Sequence, residues 1–240
     1  LLILRLMSES SFNFNAFIKD SIDVLVKPKS YFSTMKTTGG IAEPLIKALI
    51  YGVIAGIIAL IWGLLKIGGS VGIFGGAVGV MMFIWYIVGA VIGLFIGAVI
   101  LLVISAICKG STDFEANARV TASLMVVMPI SALLGFVSGL NLTAGSIISL
   151  AINLFSLYLL YHGLVEALKA KPGTAKILTI ILAALLALFF LIGLGAKKKA
   201  SNFMRDFQNQ DLQEMLDNIE EQVEDAAEEV EEAVEDAVEE

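Results

Sequence analysis

An all-α integral membrane bundle of five transmembrane helices, with an N-terminal amphipathic helix and a C-terminal acidic helix, is the fold class this sequence predicts. Three observations predict it. The 240 residues are 58% hydrophobic and only 16% charged, with a mean hydropathy of +0.87; soluble domains carry about 45–50% apolar and about 25% charged residues. Five apolar stretches each approach the roughly 20 residues that a helix needs to cross the hydrocarbon layer. Charge is segregated: residues 206–240 hold 16 of the 23 acidic residues and no Lys or Arg. The rest carries 16 basic against 7 acidic residues, a net +9. Three regions follow: 1–43 with interfacial helices, 44–196 with the spans, and 197–240 with a basic cluster and an acidic tail.

The opening LLILRLM is too short for a secretory signal, whose apolar core runs about 7–15 residues behind a basic start. Residues 14–26, FNAFIKDSIDVLV, set Phe14, Phe17, Ile18, Ile22 and Leu25 on one helical face and turn Asn15, Lys19, Asp20 and Asp23 elsewhere. Such a helix lies in the membrane interface or packs as a lid on the ends of the spans, and the sequence leaves both open. The run KPKSYFSTMKTTGG predicts a second short helix, started by Pro28 and stopped by Gly39 and Gly40.

The predicted spans are 44–65, 81–107, 119–139, 144–168 and 174–196. Pro44 suits a first helical position, where a missing N–H costs nothing, and Pro129 predicts a kink in the third span. The glycine-rich KIGGSVGIFGGAVGV between the first two spans is too short to cross and reads as an interfacial or re-entrant connector. With the N-terminus inside, ten of the fifteen Lys and Arg counted fall on inner segments and five on outer ones, the bias that orients membrane proteins. The AKKKA after the fifth span falls outside in this arrangement and argues against it.

Glycines recur every four residues at Gly89, Gly93 and Gly97, at Gly52 and Gly56, and at Gly135 and Gly139. Small residues in a row let helix backbones approach closely, either within one bundle or across a homo-oligomer face. In the tail, Leu212, Leu216, Ile219, Val223, Ala226, Val230, Ala233 and Ala237 alternate by four and three, a coiled-coil stripe flanked almost everywhere by Asp or Glu. A solvated acidic helix and capture of a basic partner or cation are both compatible with it.

Catalytic patterns fare poorly. GGSVG at 68–72 fits the G-x-S-x-G nucleophile pattern, but no strand–turn–helix context is predicted. Ser70 and the single histidine, His162, also fall at opposite faces of a hydrocarbon layer about 30 Å thick. A hydrogen bond between them needs about 3 Å. The sequence has neither H-E-x-x-H nor a Walker-type loop, and its one cysteine, Cys108, cannot build a multi-cysteine metal site. Cys108 beside Lys109 is either a palmitate acceptor or a buried, inert thiol. NLT at 141–143 matches a glycosylation pattern in a turn too short to be modified. Three residues remain as a candidate polar site. Asn153 lies mid-span and is expected to bond another helix. His162 and Glu166, four apart, share a helical face where the fourth span leaves the membrane. A proton-sensing role and a boundary marker are the two readings of that pair.

Three stretches together resemble the Yip family, the Ypt-interacting multi-spanning membrane proteins. They are KPKSYFSTM…GGIAEPLIKALIYG at 27–52, KGSTDFEANARVTASLMVVMPISAL at 109–133, and LYLLYHGLVEALKAKPGTAKIL at 157–178. The shared features are Pro, Gly and turn residues, none catalytic. The resemblance covers 12–196 and implies a five-span fold with a cytoplasmic N-terminus. It links eukaryotic relatives to Rab-type GTPases and traffic between ER and Golgi; prokaryotic relatives mostly lack an assigned role. The short N-terminal region and the acidic tail look prokaryotic. The family's histidine follows the Gly–Leu pair, whereas His162 precedes it, so no role carries over.

The expectation is a multi-pass protein of a prokaryotic cytoplasmic membrane, without enzymatic activity or cofactor, that organises or scaffolds membrane or serves a trafficking-type role. The bilayer, a homo-oligomer or another membrane protein, and a basic partner for the tail are its expected partners; nucleic acid is not. A small-solute channel or transporter and an adaptor working through the tail are the alternatives. Like charges four apart weaken a helix, so helicity of a 203–240 peptide is expected to rise as pH falls from 7 to 4. A flat circular dichroism signal over that range contradicts the acidic-helix reading.

Overall fold

The computed structural model describes residues 13–65 and 75–193, and all regular structure among them is helical. The opening segment, the GGSVG run, the AKKKA cluster and the acidic tail lie outside the described residues. Five helical segments are long and apolar enough to cross a membrane: Ala42–Leu64, Phe83–Ile107, Phe114–Ser138, Thr143–Ala167 and Pro172–Gly193.

Helix α1 (Phe14–Val26) starts where Asn13 Oδ1 accepts from the Ala16 N–H at 3.0 Å, a side-chain N-cap. It ends at Lys27 because the next residue is proline. Pro28 pushes its predecessor out of the helical region, and Lys27 sits at φ −134°. Pro28 then opens α2 (Pro28–Thr34). This second helix stops at Thr34, five residues short of Gly39. The glycines make the following turn instead, both at positive φ. Both helices pack on the bundle, α1 through Phe17 and Val24 and α2 through Phe32.

Helix α3 (Ala42–Leu64) begins two residues before Pro44. The proline therefore takes the third helical position rather than the first, still within the turn whose N–H groups have no intrahelical partner. Helix α4 (Gly75–Ile107) begins six residues before the expected 81, so the second part of the glycine-rich connector is helical. In a medium without water, a backbone satisfies its polar groups internally, and this outweighs glycine's weak helix propensity. The two helices run antiparallel in close contact. A Cβ on Gly52 would lie 2.7 Å from Ala90 Cβ and 2.9 Å from the Tyr86 carbonyl, and one on Gly56 would lie 2.9 Å from Phe83.

The third span is three short helices rather than one kinked rod: α5 (Phe114–Leu124), α6 (Val127–Leu134) and α7 (Phe136–Leu140). Pro129 sets the first break. It has no N–H for the Met125 carbonyl four residues back, and Met128 takes that carbonyl in a tighter turn, at 2.9 Å. Trp62 anchors α6 to α3 by donating to the Ala132 carbonyl at 3.1 Å.

Helix α8 (Leu142–His162), capped by Asn141, widens at its end into a π-helical turn, Gly163–Ala167. After a loop, α9 (Pro172–Gly193) opens on a proline. The α4–α5 loop and the loop before α9 are laced together. The Ser111 N–H donates to the Leu168 carbonyl at 2.7 Å and the Lys171 N–H to the Cys108 carbonyl at 2.9 Å. Lys109 and Lys169 hold left-handed backbone, φ 58° and 56°, a conformation that costs a non-glycine residue roughly 1–2 kcal/mol. Cys108 is fully buried beside this junction, which pushes its thiol up and keeps it protonated and inert.

Polarity is inverted relative to a soluble protein. The span helices expose large apolar residues such as Ile57, Phe95, Ile147 and Phe189, while α5 buries Asn117, Arg119, Thr121 and Ser123. Packed glycines should therefore differ from open ones. Gly52→Ala is expected to destabilise by roughly 1–3 kcal/mol through overpacking. Gly89→Ala, whose Cβ meets nothing within 4 Å, should be neutral or stabilising by up to about 1 kcal/mol. Thermal unfolding of the two variants in detergent checks the contrast, and equal shifts contradict the packing described here.

Candidate functional site: a charged cleft beneath the N-terminal helices

One end of the bundle carries an ion network in which two buried cations, Lys47 and Arg119, meet three part-exposed carboxylates. Helical spacing builds its two halves. Glu43 and Lys47 lie four apart at the start of α3, and Glu115 and Arg119 four apart at the start of α5. Each pair has the acid N-terminal, the favourable order on a helix. Packing joins them. Glu43 accepts from Lys47 Nζ through Oε1 at 3.1 Å and from Arg119 Nη1 through Oε2 at 2.7 Å. Lys47 also donates to Asp20 of α1 at 3.0 Å, and Arg119 Nε donates to Glu115 at 3.0 Å.

Arg119 is the centre. Its side chain is 5% exposed, and its third donor, Nη2, meets the Gly40 carbonyl at 3.0 Å. The Gly40 N–H in turn donates to Glu115. Gly39 is required here twice over: φ is +127°, and a Cβ would lie 2.9 Å from Arg119 Nη2. The glycine pair expected to end α2 thus wraps a guanidinium.

Neutral groups complete the floor. Tyr31 bonds Ser123 Oγ at 3.1 Å, and burial pushes its phenol up, so it stays protonated. Tyr51 bonds Ser21 Oγ at 2.7 Å and packs its ring on Phe17 at 5.0 Å. Asp20, Phe17, Ser21 and Val24 therefore strap α1 onto α3 and the core. Between α1, α2, α3 and α5 lies a half-open cleft of about 740 Å³, edged by Lys19, Lys27 and Lys36. Its lining sets five cations, Lys19, Lys27, Lys36, Lys47 and Arg119, against three carboxylates, Asp20, Asp23 and Glu43, so the cleft is net positive by two charges. Among the described residues no cluster of three metal-ligating side chains occurs. The arrangement suits docking one element onto others.

The polar residues singled out from sequence lie elsewhere, and Asn153 is not brought together with His162 and Glu166. Asn153 was expected to bond another helix; its Nδ2 instead donates to the Ser149 carbonyl of its own helix at 2.8 Å, and the residue is exposed. His162 ends α8, and Glu166 lies in the π turn that begins at Gly163, near enough for its charge to act on the imidazole. No hydrogen bond joins the two among the described residues. His162 instead packs edge-on against Tyr158 and Tyr161, with Nδ1 buried and unpartnered. Of the glycines, Gly52 and Gly56 lie against α4 and Gly97 against Thr121 of α5. A Cβ on Gly89 or Gly93 meets nothing, and Gly135 approaches only its own helical turn. Gly139 lies within α7.

From the sequence, Lys47 and Arg119 count only among the inner Lys and Arg that orient the chain, and Glu43 and Glu115 carry no role. The available signal was the pair of Glu-x-x-x-Lys/Arg motifs at the starts of two apolar spans.

Residues 22–194 match the Yip1 domain. The chain belongs to the Yip1 domain family. The matched region runs from the second half of α1 to the end of α9, so it holds most of the charged cleft and all five apolar helices, and the protein is a multi-pass membrane protein. Comparisons with curated proteins and with solved structures returned no match.

In this Yip1-domain protein, Arg119→Ala is expected to cost about 1–3 kcal/mol, because it empties the buried guanidinium site and removes three charge-assisted hydrogen bonds, while the part-exposed Glu43 keeps Lys47 as a partner. Arg119→Lys should recover little, since one ammonium cannot reach three separated acceptors. Unfolding midpoints of the purified variants check both; a neutral Arg119→Ala contradicts the central role of this guanidinium.

Proposed function

We propose that this Yip1-domain protein is a non-enzymatic organiser of the membrane that holds an amphipathic helix against the inner leaflet of a prokaryotic cytoplasmic membrane. One observation carries the reading: α1 is two-sided. Phe17, Asp20, Ser21 and Val24 fix it to the bundle, while Phe14, Ile18, Ile22 and Val26, spaced by four, form an apolar stripe left uncovered. An isolated interfacial helix binds and leaves the surface reversibly. One tethered by an ion network keeps its wedge in place next to the spans. The bias of Lys and Arg toward the segments flanking this end supports a cytoplasmic N-terminus. The pairing of the two buried cations, Arg119 and Lys47, favours a structural use of this network, and a trafficking-type role fits a protein that shapes the surface on which other factors act.

Reconstitution tests the reading. Liposomes carrying the native chain at rising density are expected to shrink in mean radius by electron cryomicroscopy. Ile18→Glu with Ile22→Glu, which removes the stripe and leaves the strap, should abolish the effect. An unchanged radius with the native chain, or the same shrinkage with the double variant, contradicts a wedge.

A further inference from the structure

Asn153 lies near the middle of the span Thr143–Ala167, about 15 Å along the helix from its start. That depth is the hydrocarbon midplane of a layer about 30 Å thick. Its carboxamide is exposed there. One Nδ2 hydrogen is engaged by the Ser149 carbonyl; the second hydrogen and Oδ1 have no partner among the described residues. Lipid tails offer neither donor nor acceptor, so an amide displayed to them is unfavourable and draws a polar partner from a neighbouring helix. The carboxamide also borders a cavity of about 220 Å³ between α6 and α8, lined by Ser131, Gly135, Ser149 and Ile152.

We propose that this face of α8 is a homotypic interface, in which Asn153 pairs with Asn153 of a second copy of the chain. Each copy has one free amide hydrogen and one free carbonyl oxygen to offer. Two copies related by a two-fold axis exchange both bonds, and the residue becomes its own complement. A partner of different sequence would have to supply a matching donor and acceptor at the same depth. The face around Asn153 suits close approach: Ser149 and Ser156 lie on it, one turn to either side, with Leu150 and Leu157 beside them. The adjoining cavity gives the partner's side chains somewhere to seat.

The test uses the full chain in liposomes, with energy transfer measured between donor- and acceptor-labelled copies as protein is diluted in lipid. Association is expected at low density. Asn153→Leu is expected to weaken it by about tenfold, the order of two modest interhelical hydrogen bonds. Asn153→Gln, which keeps a donor and an acceptor, should recover part of the loss. A monomeric native chain at every density, or equal association of the native chain and Asn153→Leu, overturns the proposal. Circular dichroism and thermal unfolding establish that the variants fold. A second measurement does not depend on altering Asn153: Leu157→Cys in native membranes should form a disulfide-linked dimer under mild oxidation, while the unaltered chain, with Cys108 buried, does not. No crosslink at that position also overturns it.

Discussion

Arg119 carries a charge that has been taken almost completely out of water, and removing an ion from water costs several kcal/mol unless its donors are matched. Three of its donors find Glu43, Glu115 and Gly40, drawn from three places in the chain. Glu43 serves two cations at once, one on each oxygen, and through Lys47 it extends the network to Asp20 on α1. The start of α3, the start of α5, the glycine turn and the N-terminal helix are thereby held by two cations, Arg119 and Lys47, joined through Glu43. Removing Glu43 would leave two buried cations, Arg119 and Lys47, short of a partner, so these elements keep their places together.

The rest of the architecture follows from the same scarcity of water. Where the bundle faces lipid, apolar side chains point outward and contribute little to holding helices together, since lipid tails are as apolar as they are. Cohesion comes from close backbone approach and from polar groups turned inward. Gly52 and Gly56 bring α3 against α4, Gly97 admits Thr121, and Trp62 reaches a backbone carbonyl across to α6. The proline break follows this logic: Pro129 frees the Met125 carbonyl, and a tighter turn claims it at once.

Two features stand outside this economy of satisfied groups. The apolar stripe of α1 is exposed although the helix is strapped down, and the Asn153 carboxamide is exposed although it sits at hydrophobic depth. Each is left incomplete by the single chain, one toward a lipid surface and one toward a polar neighbour. The proposed activity of the protein rests on the first, and its self-association on the second. His162 does not join them: its ring is packed between two tyrosines at the end of α8.

The sequence by itself determined the helical class, the five apolar segments, the two short helices before them and the family. Backbone groups in hydrocarbon must bond within a helix, so length and hydropathy suffice to find a span. Proline and glycine act on their immediate neighbours, so Pro28 and Pro129 were legible as a start and a break. Boundaries shifted where a local rule met a neighbour, as at Gly39, which wraps Arg119 instead of ending α2. Only the tertiary structure decided which charges meet, because Glu43 and Arg119 lie 76 residues apart. It also decided which glycines touch another helix, since equal spacing puts Gly89, Gly93 and Gly97 on one face without saying what faces them. The loop lacing beside the π turn depends on hydrogen bonds between residues far apart in the chain, Ser111 to Leu168 and Lys171 to Cys108, that local periodicity does not encode.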